Sequence, residues 1–348
     1  MISRRLQTTA TLLLVVVFST VRAQKIADYL SLSGFIDTQY DIESYNGEKT
    51  DLSTLQIRRA RLDIKGDVSE RLSFRLQADF TSPKLIDAFI KYRFNKLVNL
   101  QVGQFKTPFT LENPYSPLNL ESIENAQAIT KLAGYKDVSG VSSYANGRDI
   151  GVQISGSAFQ KNGKWDVLTY YAGIFNGNGI NTKDCNTDKD LAARIELRPI
   201  VEELVLSGSI YNGNYAINGK NADRNRYSAG LEYKNKKLTI RSEYLNGETG
   251  ISDGTSINNL KSNGFYAVAG YWFNFTSNGL SQKIRPVVRY DFYDNNSDVD
   301  NDEAYAYMIG LDWWPEQNLR FFVNYTLKDQ KKYENLGHSL SAMMSIKF

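Results

Sequence analysis

Arg59, Arg61, Asp63 and Lys65 occupy alternate positions of one short run. The pattern returns in Arg71, Arg75 and Asp79, then in Asp87, Lys91 and Arg93. Further on, Arg194, Glu196 and Arg198, and Arg285, Arg289 and Asp291, renew it. In an extended chain alternate side chains share a face, so each run presents a row of fixed positive charge interleaved with carboxylates. The planar arginine fork donates to two oxygens of a phosphate or carboxylate at once. Rows of such groups along a water-filled wall favour anions. The same arginines can instead pair with the interleaved acids and brace the fold, and the sequence leaves both roles open.

Other chemistry finds little support. His338 is the one histidine, and its neighbour Ser339 points to the opposite face of a strand. No orienting acid completes a triad, so no enzyme is expected. One histidine and the single Cys185 give no zinc spacing and no internal disulfide. Asp294, Asp298, Asp300, Asp302 and Glu303 offer oxygens to calcium, but the stretch lacks the glycine of a calcium-binding loop. It reads more simply as a solvated acidic loop, bridged by cations to lipopolysaccharide. Asn176-Gly177-Asn178-Gly179 is a turn, since no strand-to-helix context follows. No cofactor and no nucleic-acid partner are expected.

The elements that carry the charged rows are strands. Opposite the basic set of the second run stand Ala60, Leu62 and Ile64, and opposite Arg71 to Asp79 stand Leu72, Phe74, Leu76, Ala78 and Phe80. Sixteen such runs extend from about 30–41 to 338–348, each near the ~10 residues that a tilted membrane strand needs. An arginine or lysine facing lipid at mid-membrane costs about 2–4 kcal/mol, which assigns the charged rows to the inner side of a closed barrel. Arg58 alone shares the apolar phase, so it lies near the interface or marks a bulge. Short turns alternate with mostly longer loops, and the longest connection is 106–146. Loops of that length usually carry function, and this one is expected to fold inward and narrow a pore. The last strand ends on Phe348, as outer-membrane barrels do, and is expected to engage the barrel-assembly machinery.

Residues 1–23 read as an export signal, with Arg4 and Arg5 before the apolar run Leu12 to Phe18 and a cleavage site at Val21-Arg22-Ala23. The barrel then occupies 24–348 as a single domain. The chain has 41 basic and 38 acidic residues. The leader carries Arg4, Arg5 and Arg22 and no acid, so the exported chain is neutral. Any electrostatic function must come from where the charges sit.

Four segments in order carry a family likeness: Arg58-Arg59-Ala60-Arg61-Leu62-Asp63-Ile64-Lys65-Gly66, Phe74 to Phe80, Asp87 to Tyr92, and Val102-Gly103-Gln104-Phe105-Lys106-Thr107-Pro108-Phe109. Phe175-Asn176-Gly177 adds to it. The chain resembles the phosphate-selective porin O and P family. The resemblance implies an all-β, sixteen-stranded antiparallel transmembrane barrel, a homotrimer in the outer membrane of a Gram-negative bacterium, with its long third loop folded inward. It further implies an arginine ladder leading anions to a basic constriction. Arg59 and Arg61 match that arginine-rich second strand. Lys106, Lys131 and Lys136 are the constriction candidates in the loop, and no local motif chooses among them.

The expected activity is passive diffusion of small hydrophilic solutes. Phosphate or other oxyanions are favoured by a lumen lined with Arg59, Arg61, Arg75, Lys91, Arg93, Arg194 and Arg289. A non-selective porin is the alternative. A receptor or adhesin is another, acting through outer loops at 177–188, 213–224 and 247–261. The expected surroundings are outer-membrane lipid and lipopolysaccharide.

Overall fold

A computed structural model describes residues 29–44, 52–82, 84–140, 145–217, 219–252, 254–277, 279–331 and 336–348. The export signal expected at 1–23 lies outside the described residues. The first strands are β1 (Leu30–Ser44), β2 (Leu52–Asp67), β3 (Leu72–Asp79), β4 (Lys84–Arg93), β5 (Asn99–Lys106) and β6 (Arg148–Lys161). There follow β7 (Trp165–Phe175), β8 (Asp190–Leu197), β9 (Leu204–Ile217), β10 (Lys220–Lys234), β11 (Leu238–Ser252) and β12 (Ile257–Tyr271). The last are β13 (Phe273–Ser277), β14 (Leu280–Asp294), β15 (Glu303–Glu316), β16 (Leu319–Gln330) and β17 (Gly337–Lys347). One short helix, α1 (Gln127–Leu132), lies between β5 and β6.

Each strand pairs antiparallel with its sequence neighbours, and β1 pairs with both β2 and β17, so the sheet closes. Segments β12 and β13 both pair with β14 and form one stave broken at Trp272. The barrel therefore has sixteen staves. The seam is completed by mutual backbone bonds, Gly34 N to Phe348 O at 2.9 Å and Phe348 N to Gly34 O at 3.0 Å. Closure satisfies every ladder and leaves no open edge, which is the condition for a sheet to cross a bilayer.

Alternation sets the two faces, and the burial is inverted relative to a water-soluble barrel. On β11 Arg241 and Glu243 are among the buried residues, while Ile240 and Tyr244 are exposed. On β14 Arg285, Arg289 and Asp291 are buried and Val288 is exposed. Apolar side chains such as Leu55, Ile90 and Ile309 cover the outside. Aromatic pairs Phe292–Tyr305, Tyr290–Tyr307 and Trp313–Phe321 stand on this outer face, as in the girdles of membrane barrels.

The register between β1 and β2 slips at Asp37/Thr38: Asp37 stands opposite Arg59 and Thr38 opposite Ile57. Arg58 is the extra residue of a bulge, which turns its side chain to the inner face, where it bonds Gln39. The loops expected at 213–224 and 247–261 require correction. Strands β9 and β10 run to Ile217 and from Lys220, and β11 and β12 run to Ser252 and from Ile257. These hairpins rise above the apolar band, where the outer face turns polar (Asn212, Asn214, Asn221, Asp223), so the apolar outer row that marks a membrane strand is absent there.

Candidate functional site

The chain between β5 and β6 lies against the charged face of the wall. Its backbone is gripped by inward-facing side chains from many strands. Thr110 N donates to Ser209 Oγ (3.0 Å), Leu111 N to Glu243 Oε1 (2.8 Å) and Ile123 N to Asn324 Oδ1 (2.9 Å). Arginines donate in return to its carbonyls: Arg194 to Thr110 O (2.7 Å), Arg226 to Leu132 O (2.5 Å), and Arg285 and Arg320 both to Leu120 O (2.9 and 3.1 Å). This accounts for backbone groups that a loop without secondary structure would otherwise bury unpaired.

Apolar contacts complete the docking. Phe109, Ile129 and Leu132 of this segment are buried in one cluster with Leu245, Tyr266, Val268, Tyr293 and Met308 of the wall. Fully burying side chains of this size is worth about 1.5–3 kcal/mol each. Most of the grips come from β8 to β16, with further contacts at Arg58 of β2 and at Phe105 and Lys106 of β5.

Buried ion pairs tie the two together. Arg241, fully buried, bonds Glu121 (2.5 Å) and Glu232 (3.1 Å) and lies 3.6 Å from Glu112. Arg226 grips Asp137 through both terminal nitrogens, at 2.5 and 2.7 Å. Burial pushes the Asp137 carboxyl up, but Arg226 and Ser139 outweigh it and bring it down to about 2. A carboxylate depressed in the docked state stabilises docking above the ordinary value of ~3.9. That contribution fades as pH falls through about 2. The Arg226–Asp137 clasp should therefore open only below about pH 4, and the acid step it causes in single-channel conductance should be missing from Asp137→Asn. An acid step of the same size surviving in Asp137→Asn would contradict this.

Of the seven residues expected to line the lumen, five are in ion pairs. Arg59 meets Asp37 at 3.0 Å, Arg61 meets Asp79 at 2.9 Å, and Arg75 meets Asp63 and Asp87 at 2.8 and 3.1 Å. Arg194 meets Glu196 at 3.0 Å and Arg289 meets Asp291 at 2.7 Å. Lys91 and Arg93 form no ion pair among the described residues. Of the loop candidates, Lys106 spends its charge on the carbonyls of Asn113 (2.5 Å) and Tyr115 (2.7 Å), pinning the start of the segment. Lys136 is exposed and Lys131 half-buried, both without an ion pair among the described residues. The acidic stretch does not converge: Asp298 turns to Lys261 (3.3 Å), and no group of three metal-ligating side chains occurs among the described residues.

Sequence reasoning did not assign Arg148, Arg224, Arg226, Arg241 and Arg320 to this site. Arg224 stands in a stretch expected to be loop and Arg226 just beyond it. Arg148 follows the long connection directly. Arg241 and Glu243 do alternate, and that signal was available. The pairing of Arg241 with Glu121 and of Arg226 with Asp137, more than eighty residues distant, leaves no local trace.

A closed sixteen-stave barrel, apolar outside and charged inside, with an internal segment docked on its wall, defines an outer-membrane porin. A profile of the phosphate-selective porin O and P family matches residues 34–348, and the chain belongs to that family. It resides in the outer membrane of a Gram-negative bacterium. No curated protein matches the sequence. Solved structures with the same fold include an anion-selective porin from Comamonas acidovorans, at 13% identity and TM-score 0.69, covering 92% of this chain and 99% of that one. OmpF of Salmonella typhi, solved with daunomycin, follows at 13% and 0.66, with coverage of 92% and 97%. The trimer form of OmpT from Vibrio cholerae matches at 10% and 0.59, with coverage of 92% and 99%.

Proposed function

We propose that this porin passes small hydrophilic solutes by diffusion and prefers anions, phosphate and related oxyanions among them. The observation that carries the reading is the sharing of acids on the inner wall. Asp63 serves Arg75 and Lys65, Asp87 serves Arg75 and Arg148, and Glu196 serves Arg194 and Arg198. Five bases thus share three carboxylates, leaving two positive charges over. Lys91 and Arg93 add to them on the inner side of β4, with no ion pair among the described residues. Near the end of β17 Lys283 and Lys347 stand over Trp314, at 4.6 and 5.0 Å, with no ion pair among the described residues. Glu112, Glu121 and Glu232 are buried around Arg241, and Asp149 and Glu243, which form no ion pair among the described residues, are buried as acceptors of Gly177 N and Leu111 N. A base-rich wall in a confined aqueous path concentrates anions.

The docked 106–146 segment sets the size limit, with Lys131 and Lys136 at its rim. Copies of the chain assemble as trimers, as the Vibrio OmpT structure does. Lipid and lipopolysaccharide surround the barrel, and Phe348, at the closed seam, is the feature the barrel-assembly machinery reads after export. A non-selective channel remains the second reading, because five of the seven expected lining residues are neutralised in pairs. The short hairpins at 217–220 and 252–257 leave little material for a receptor.

The test is the reversal potential under a KCl gradient. Chloride preference is expected, and Lys91→Gln with Arg93→Gln should move it towards zero by a factor of about two in permeability ratio, the scale of removing part of a charged ring. Cation preference in the unmodified protein would end the anion reading.

A further inference from the structure

The bulge in β2 creates a competition at the edge of the lumen. It places Arg58 beside Arg59 on the inner face, and both guanidiniums are sparsely used. Arg58 Nη1 donates to Gln39 Oε1 and to Glu124 Oε1, and Arg59 Nη1 donates to Asp37 Oδ2 at 3.0 Å. The other N–H groups of the two donate to no acceptor among the described residues.

The two acids differ. Asp37 is buried and fixed by Ser345 Oγ at 2.6 Å. The Glu124 side chain is 62% exposed. Its backbone is held independently: Glu124 O and Ser122 Oγ accept from Arg289 (2.6 and 2.5 Å), and Ile123 N is bonded to Asn324. A carboxylate in water is thus presented to Arg58 by a segment that does not need the contact to stay docked.

We propose that Glu124 is a tethered internal anion, occupying the position on Arg58 and Arg59 that an incoming oxyanion takes. The inference rests on the anion reading above. A phosphate or carboxylate entering the lumen binds this arginine pair by displacing Glu124 and using the idle N–H groups. The Glu124 half of the pair stands in water, where salt screens it, while the Arg58 side chain is only 16% exposed, so an incoming anion competes by replacing the carboxylate at the water-facing side. A two-oxygen acceptor gains from the fork geometry in a way chloride does not. The returning carboxylate in turn ejects the bound anion, which keeps residence short, as conduction requires.

The test uses the full-length protein in planar bilayers, with inorganic phosphate titrated against chloride current. Glu124→Gln should lower the half-blocking phosphate concentration about tenfold, equivalent to about 1.4 kcal/mol. The gain should vanish in the double variant with Arg58→Gln. Unchanged or weaker phosphate block in Glu124→Gln overturns the proposal, as does a gain that survives loss of Arg58. If the substitution only loosens the segment, neutral-sugar uptake by liposomes rises without tighter phosphate block, which also overturns it. Absence of anion preference in the unmodified protein would instead remove the reading beneath it.

Discussion

Replacing Arg241 by alanine should release the internal segment and raise single-channel conductance severalfold. Arg241 is fully buried, with its guanidinium on Glu121 and Glu232, near Glu112, and its Nε donating to the Tyr266 hydroxyl at 3.2 Å. Without it, Glu112 and Glu232 lose their ion-pair partner in a dry space and Glu121 keeps only Arg285, at 3.1 Å. Breaking a buried pair by removing one partner costs about 3–5 kcal/mol. Two of the three acids, Glu112 and Glu121, belong to the segment itself, so the structure escapes the cost by letting them swing into water. The barrel need not unfold, since its ladders are independent of the segment. Intact heat-modifiable migration on a gel together with enlarged conductance is the expected pair of results. Conductance equal to that of the unmodified protein would show that the remaining grips and the apolar cluster around Ile129 and Leu132 hold the segment without Arg241.

Gly103→Val should abolish folding of the barrel. Gly103 has φ +133°, a conformation that costs a side-chain-bearing residue about 1–3 kcal/mol. A Cβ there would also stand 2.2 Å from Ala88 O and 2.7 Å from Phe89 Cα, both backbone atoms of the paired strand. Neither can rotate aside. Strand β5 is bonded on both sides, to β4 and β6, so moving it breaks two ladders at once. The close approach also seats Phe89 against Phe105, rings 5.9 Å apart. Loss of the compact, heat-modifiable form is the expected outcome, and recovery of folded, conducting protein would refute it.

The membrane-spanning part of this fold is written plainly in the chain, because lipid on one side and water on the other impose a two-residue period with a heavy penalty for error. Arg59, Arg75 and Arg289 could therefore be placed on the inner face from local sequence. Arg58 shows the limit: its phase is wrong for its neighbours, and only the register slip opposite Thr38 explains it. The upper hairpins were misjudged as loops because the lipid constraint ends there. The site was harder still. Whether Arg194 or Arg289 faces an open pore or a carboxylate depends on partners such as Glu196 and on where residues 107–147 come to rest. Those choices are made by packing across the lumen, and no spacing in the chain encodes them.

Strands β3, β4 and β5 contain eight, ten and eight residues, against fifteen in each of β10, β11 and β12. At about 3.3 Å per residue and a tilt of ~40°, eight residues cover roughly 20 Å of membrane depth, less than the apolar band of about 25 Å usual for such barrels. Where β3 and β5 face lipid, the bilayer is expected to thin locally, at a cost of fractions of a kcal/mol per ångström of mismatch. The protein thus has a compressed-lipid side and a relaxed side, and its neighbours in the membrane plane are sorted by thickness before any specific contact forms.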